Sequence, residues 1–302
     1  IDILPNRKQD TTAYYFMHAI PKEERDRVKY LIGDMYDPYI SFIGKYFVNA
    51  EYVVDSFHVV SHIIRELRYY INDVKRKYQV INDKKLEEEN YKNNRERKSK
   101  KDSPELFILK HFYWALLKNK DDINYSWNRK YYRFLGQYLD TYDCEKIFLD
   151  LDPNFRKLRD LKEIYIRFNK SHQDDPKGAE AELETIIKLY ESSDFRMFHE
   201  FAELLKTHKK AIVISFTYIN VEDRKNQNNM LCRLSNGPME GFNNNPKDYK
   251  RNANGVANFD FTRNRILWAL RTDARPLAVP RKLIRHEVPE SHKRGPYNKK
   301  KQ

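Results

Sequence analysis

Two short apolar runs lie near the start of the chain, and an aspartate closes each of them. Arg27-Val28-Lys29-Tyr30-Leu31-Ile32-Gly33 ends at Asp34, and Glu51-Tyr52-Val53-Val54 ends at Asp55. Short runs rich in β-branched and aromatic residues read as strands. Residues 38–46 between them carry a helical pattern, and residues 11–20 another that Pro21 stops. Ile1-Asp2-Ile3-Leu4 reads as a further strand, one the sequence enters midway. Two strands flanking a helix, each ending in an acid, are the layout of a carboxylate site at the carboxyl-terminal edge of a sheet. Acids at strand ends are also ordinary turn residues, and periodicity alone leaves both readings open.

Beyond residue 59 the pattern changes. Val60, Ile63, Ile64, Leu67, Ile71, Val74 and Tyr78 recur at three- and four-residue spacing, the stripe of an amphipathic helix. The charge-dense stretch 82–102 offers little to bury and reads as a solvated linker. Ser103-Pro104-Glu105 then supplies an N-cap, a first-turn proline and an acid for a helix over 106–118. Helical patterns cover 129–139, 154–169, 178–191 and 194–208, with a polar loop at 170–178. The expectation is a helical block of roughly 150 residues without strands or fixed repeats. Residues 211–219 suit a strand or a continued helix, 226–245 are rich in Asn and Gly, and 261–271 read as a basic, aromatic helix. The Lys/Arg-rich tail from Arg281 reads as disordered.

Composition narrows the partner. The formal charge is 57 − 44 = +13, which favours an acidic polymer, nucleic acid before a membrane surface. A solvated helical protein can be equally basic without any such partner. No run approaches the ~20 apolar residues of a spanning helix, and no signal-peptide pattern opens the chain. Cys144 and Cys232 are the only cysteines, too few for a disulfide framework or a cysteine-based zinc finger. The 22 tyrosines suit base stacking or a core that uses Tyr in place of Leu.

A third acid stands in a context as distinctive as the strand ends. Glu240 lies in Ser235-Asn236-Gly237-Pro238-Met239-Glu240-Gly241-Phe242-Asn243-Asn244, a tight loop running into a helix start. Carboxylates converging from strand ends and a helix can hold two Mg²⁺ ions about 4 Å apart, the arrangement used in phosphodiester chemistry.

Three segments then carry a resemblance. Tyr30-Leu31-Ile32-Gly33-Asp34-Met35-Tyr36-Asp37-Pro38-Tyr39 is one, and 47–60, with Asp55-Ser56-Phe57-His58 at its centre, is the second. The third is 235–244, followed by Lys250-Arg251 and by Asn258-Phe259 and Arg263-Asn264-Arg265-Ile266-Leu267. In this order, separated by a long helical block, they resemble the DDE transposases of the L-three group of bacterial insertion sequences, over about residues 1–270.

The resemblance implies a ribonuclease-H-like α/β core interrupted by a large all-α insertion. Residues 1–58 would supply core strands three to five, 59–229 the insertion, 230–272 the core helices with the catalytic Glu, and 273–302 a basic tail. Asp34 matches the second catalytic aspartate and Glu240 the catalytic glutamate, both as metal ligands. Two Mg²⁺ ions, with Mn²⁺ as substitute, are the implied cofactors. Asp55 and His58 match an Asp-x-x-His motif near the active site, which either orients the site or holds the insertion against the sheet. No Cys/His set completes a zinc site there. Lys250, Arg251, Arg263 and Arg265 are candidate phosphate contacts; a solvated face is an equal reading.

Asp2 matches the third strand, so the first catalytic aspartate is expected ahead of Ile1. The zinc-ribbon and helix-turn-helix region of the family is likewise expected upstream, which would make this chain an inactive portion of a longer enzyme. Pro246, where the family commonly has Ile, is expected to shift the helix start. The implied activity is cleavage at transposon ends by activated water and attack of the freed 3′-hydroxyl on target DNA. The implied partners are DNA and further copies of the chain on DNA, with no membrane, in a bacterial cytoplasm at the nucleoid. The alternative is a non-enzymatic DNA-binding relic of a truncated transposase.

Overall fold

The computed structural model describes residues 2–92, 102–222, 229–252 and 258–270. The chain forms two compact units, Thr12–Pro238 and a second made of Ile1–Thr11 with Met239–Gln302. Helices predominate among the described residues, and the strands form three separate pairs. No described helix is long and apolar enough to cross a membrane.

The larger unit starts within α1 (Gln9–Ala19) and runs through α2 (Lys22–Asp26), β1 (Tyr30–Gly33), α3 (Asp37–Tyr46) and β2 (Glu51–Val54). β1 and β2 pair in parallel, Tyr30 opposite Glu51 and Gly33 opposite Val54. Parallel strands need a crossover, and α3 supplies it, opened by Pro38 in its first turn where a missing N–H costs nothing. Phe16 packs edge-on against Phe42 and Phe47 at 5.4 and 4.9 Å, and with Ala50 these form a small apolar layer. Tyr52 and Val54, two apart on β2, join the main core instead, as alternation along a strand requires.

α4 (Ser56–Lys92) is a single helix of 37 residues. Val59, Ile63, Leu67, Ile71 and Val74 form its buried stripe. The expected linker is corrected here: residues 82–92 continue α4, and 93–101 lie outside the described residues. Lys, Leu and Glu are strong helix formers, so this turn-by-turn extension needs no core to carry it. Gln79 reaches Asp83 one turn on at 2.9 Å.

Ser103 caps α5 (Pro104–His111), its hydroxyl accepting the Leu106 N–H at 3.3 Å, and a break at Phe112 separates α5 from α6 (Trp114–Leu117). The expected helix over 129–139 is instead a hairpin, β3 (Lys130–Tyr132) with β4 (Gln137–Leu139). Its aromatic residues fit a spacing of three or four as well as alternation, and the turn decides between them. Leu135 and Gly136 both donate to the Tyr132 carbonyl at 2.9 Å, and Gly136 takes φ +66°, open to glycine at little cost.

A helical body follows: α7 (Thr141–Leu149), α8 (Phe155–Ser171), α9 (Pro176–Glu191), α10 (Arg196–Thr207) and α11 (Lys209–Ile214). Asp140 and Asp143 close a capping box on α7. Phe148 stacks on Phe155 at 4.8 Å, and Tyr165, Tyr190, Phe198 and Phe201 are fully buried. The Tyr190 hydroxyl donates to the Leu161 carbonyl at 2.9 Å, so tyrosine does serve as core filler here. The ambiguous 211–219 divides: helix to Ile214, then β5 (Tyr218–Glu222), antiparallel to β6 (Asn229–Arg233). The 150-residue block is therefore helical but not strand-free.

The Asn/Gly-rich 226–245 contains β6 and the start of α12 (Gly237–Asn252), which α13 (Phe259–Leu270) follows. Pro246 lies inside α12 and does not set its start. Residues 2–4 form no strand. Asp2 there turns its carboxylate to the Ile3 N–H at 2.7 Å and to Arg263 at 2.5 Å, within the smaller unit. The basic tail from Arg281 lies outside the described residues.

Candidate functional site

β1 and β2 end level. The Asp55 N–H donates to the Gly33 carbonyl at 2.9 Å, so Asp34 and Asp55 leave neighbouring strand ends at the same edge, as the sequence layout anticipates. Asp34 is half-buried, and its Oδ1 is fully buried with no hydrogen-bond partner. Buried side-chain oxygens are almost always partnered, because an orphaned acceptor costs about 1–3 kcal/mol. An anionic oxygen left this way fits a cation-ligand role.

Tyr52 fixes the backbone that carries Asp34. Its hydroxyl donates to the Asp34 carbonyl at 2.6 Å. Burial first, then the Asp34 charge, push the Tyr52 pKa far above that of free tyrosine, so the phenol remains a donor. The ring crosses directly over Gly33: a Cβ there would meet the Tyr52 hydroxyl at 2.4 Å. Glycine at the end of β1 is therefore a requirement of the neighbouring strand.

Asp55 is spent on backbone. Only 3% exposed, it accepts the Phe57 N–H on Oδ1 at 3.0 Å and the Asn236 N–H on Oδ2 at 2.9 Å. The first bond caps α4 and the second ties down the chain just ahead of Gly237, where α12 begins. His58 lies half-buried in the first turn of α4, its N–H on the Asp55 carbonyl at 3.0 Å and its ring 5.6 Å from Phe57.

Arg233, at the end of β6, fastens the same region from the other side. It donates to the Asn169 carbonyl and side chain at 2.8 and 3.0 Å, and to the Ser215 carbonyl and hydroxyl at 2.8 Å each. Its guanidinium lies 3.9 Å over the Phe216 ring. Burial lowers its pKa, against the opposing pull of Tyr165, Tyr218 and Asp55.

The remaining candidates belong to the smaller unit. Glu240 is in the first turn of α12 and is exposed, a favourable end of the helix dipole for an acid. Lys250 is exposed in the last turn, and Arg251 lies 3.3 Å from Asp248. Arg263 is neutralised by Asp2 at 2.5 Å and also donates to the Ile3 carbonyl at 3.2 Å. Arg265 sits 5.3 Å over the Tyr249 ring.

Gly33, Tyr52 and Arg233 escaped the sequence reading. Gly33 and Tyr52 looked like ordinary strand residues; the signal for Arg233 was a cation within the apolar run Met230-Leu231-Cys232-Arg233-Leu234.

A family profile described as a transposase matches residues 1–266. The family is the ISL3 group of DDE transposases; the chain belongs to it, and its function is DNA transposition. No curated protein and no solved structure matches the chain.

Proposed function

We propose that the chain carries out DNA strand cleavage and transfer at insertion-sequence ends, with Asp34 and Glu240 as ligands of divalent metal, Mg²⁺ by preference and Mn²⁺ as substitute. In this reading β1, α3 and β2 are part of a ribonuclease-H-like core, 59–229 is its insertion, and 230–272 carries the helices with the catalytic Glu. The single observation that carries the assignment is the buried, unpartnered Oδ1 of Asp34 at the end of a parallel pair. When bound, the ions supply activation of the attacking oxygen and stabilisation of the leaving one.

The protein's own contribution is positioning. Tyr52 holds the Asp34 backbone through its carbonyl, which aims the carboxylate without using it. Asp55 has both oxygens on backbone N–H groups, so it acts as a tie that holds the start of α4 and the chain at Asn236. Phosphoryl transfer depends mostly on such placement and on charge neutralisation.

The test is cleavage of an insertion-sequence end by the complete protein. Asp34→Asn and Glu240→Gln should each lower cleavage at least ~100-fold, as expected for a lost metal ligand, with DNA affinity within a few-fold of native. Surviving cleavage in either variant removes that residue from the assignment. DNA binding without any metal-dependent cleavage by the native protein means the non-enzymatic reading is correct.

A further inference from the structure

The β3–β4 hairpin and its approach contain no acid from residue 123 to 139, but three cations (Arg129, Lys130, Arg133) and six aromatic residues. A two-stranded hairpin is marginal alone, and this one is held from one side. Tyr132 packs edge-on against Phe112 at 5.3 Å, and Leu139 is 5% exposed. Alternation sends their neighbours outward. Tyr131 and Tyr138 stand opposite each other, ring centroids 4.9 Å apart, and are 55% and 64% exposed.

A further exposed ring, Trp127, precedes the hairpin. It is 77% exposed and 4.6 Å from Tyr142, which in turn lies 4.6 Å from Tyr125. Tyr125 is clamped: its hydroxyl donates to Glu145 at 2.7 Å and accepts from Arg159 at 3.2 Å, and Arg159 is itself ion-paired to Glu145. The indole is thus backed by Tyr142, which itself stacks on the clamped Tyr125 ring. Arg129 is partly neutralised by Asp140 and Asp143 at 3.8 and 3.7 Å, while Lys130 and Arg133 remain exposed.

Exposed aromatic rings beside exposed cations match one polymer better than any other: a polyanion whose repeating unit has a flat π-face. A duplex presents only base edges, so stacking requires unpaired bases. We propose that the Tyr131–Tyr138 pair, and Trp127 on its Tyr142 backing, stack on unpaired bases of DNA, with Arg133 on an adjoining phosphate. The choice of DNA rests on the strand-transfer reading; the stacking geometry does not.

The test is fluorescence anisotropy of the full chain with a labelled oligothymidylate and with a blunt duplex of equal length. Trp127→Ala, and Tyr131→Ala with Tyr138→Ala, should weaken oligothymidylate binding about tenfold or more and duplex binding less than threefold. Trp127→Phe, which keeps a ring, should recover most of the affinity at an unchanged melting temperature; failure to recover it overturns the proposal. So does affinity within twofold of native in the alanine variants, or an equal loss on both DNAs. A change in the sedimentation of the DNA-free protein on Trp127→Ala marks the face as a self-association surface and also overturns it. Asp34→Asn should leave oligothymidylate binding untouched, so loss of cleavage and loss of stacking are read separately.

Discussion

The contact between Gly33, Tyr52 and Asp34 joins two strands through three residues, and each can be tested alone. Gly33→Ala forces the Tyr52 hydroxyl off the Asp34 carbonyl and should cost ~1–3 kcal/mol, the range for overpacking a close site. In a Tyr52→Phe background the nearest atom left is Cζ at 3.3 Å, so the same substitution should cost clearly less. Urea melts of the four proteins in a double-mutant cycle measure the difference. The orphaned Asp34 oxygen makes a second prediction. Mn²⁺ at ~100 times its dissociation constant should add about 2.7 kcal/mol of stability to a protein that binds it only when folded. Asp34→Asn should abolish that increment in a thermal melt; an undiminished increment would place the ion elsewhere. The place of Asp34 at a strand end was legible in the sequence because the apolar run of β1 stops there. Tyr52 was not, since a tyrosine on the inward side of a strand looks the same whether or not its hydroxyl is in use.

At the scale of elements, Arg233 does the work of a staple between β6, α8 and the chain after α11. Arg233→Met would keep much of the volume but leave the Asn169 and Ser215 carbonyls without their donor. Charged hydrogen bonds of this kind contribute about 1.5–3 kcal/mol each, so a loss of ~3 kcal/mol or more is expected in chemical denaturation. Arg233→Lys should recover only part of it, because an ammonium cannot serve Asn169 and Ser215 in the fixed fork of a guanidinium. Legibility here followed the hydrophobic period. The α4 stripe, α3, α8, α9 and α10 all stood out, as did β1 and β2. The hairpin at 130–139 did not, because one glycine with positive φ overrode a pattern that also fits a helix. The charged end of α4 was misread for the opposite reason: beyond Asn82 its residues bury little, yet their intrinsic preference suffices.

For the molecule as a whole, two histidines set a pH response. Burial first, then Arg65, lower the His62 pKa, and burial lowers that of His208 against the opposing charge of Asp37. A histidine depressed in the folded state binds its proton more readily when unfolded. Its contribution is therefore intact above about pH 6.5 and declines as pH falls through the folded value. Thermal stability should fall on acidification from pH 7 toward pH 5, and His62→Phe should flatten that slope. An unchanged slope would assign the response to His208 or to carboxylates. The Phe201 ring stacked 6.1 Å from His62 already accommodates an aromatic neighbour. The net basic charge gave no hint of this response, which depends on local burial.

α4 springs from the residue after Asp55 and runs 37 residues without a break. At 1.5 Å per residue that is a lever of roughly 55 Å, along which a 5° change of direction at the base sweeps the tip by about 5 Å. The Asp55 tie sets where that lever starts, while the buried stripe from Val59 to Val74 and the Tyr78 bond to the Leu151 carbonyl set its direction. The angular precision of the distal end is therefore governed by packing along the first half of the helix.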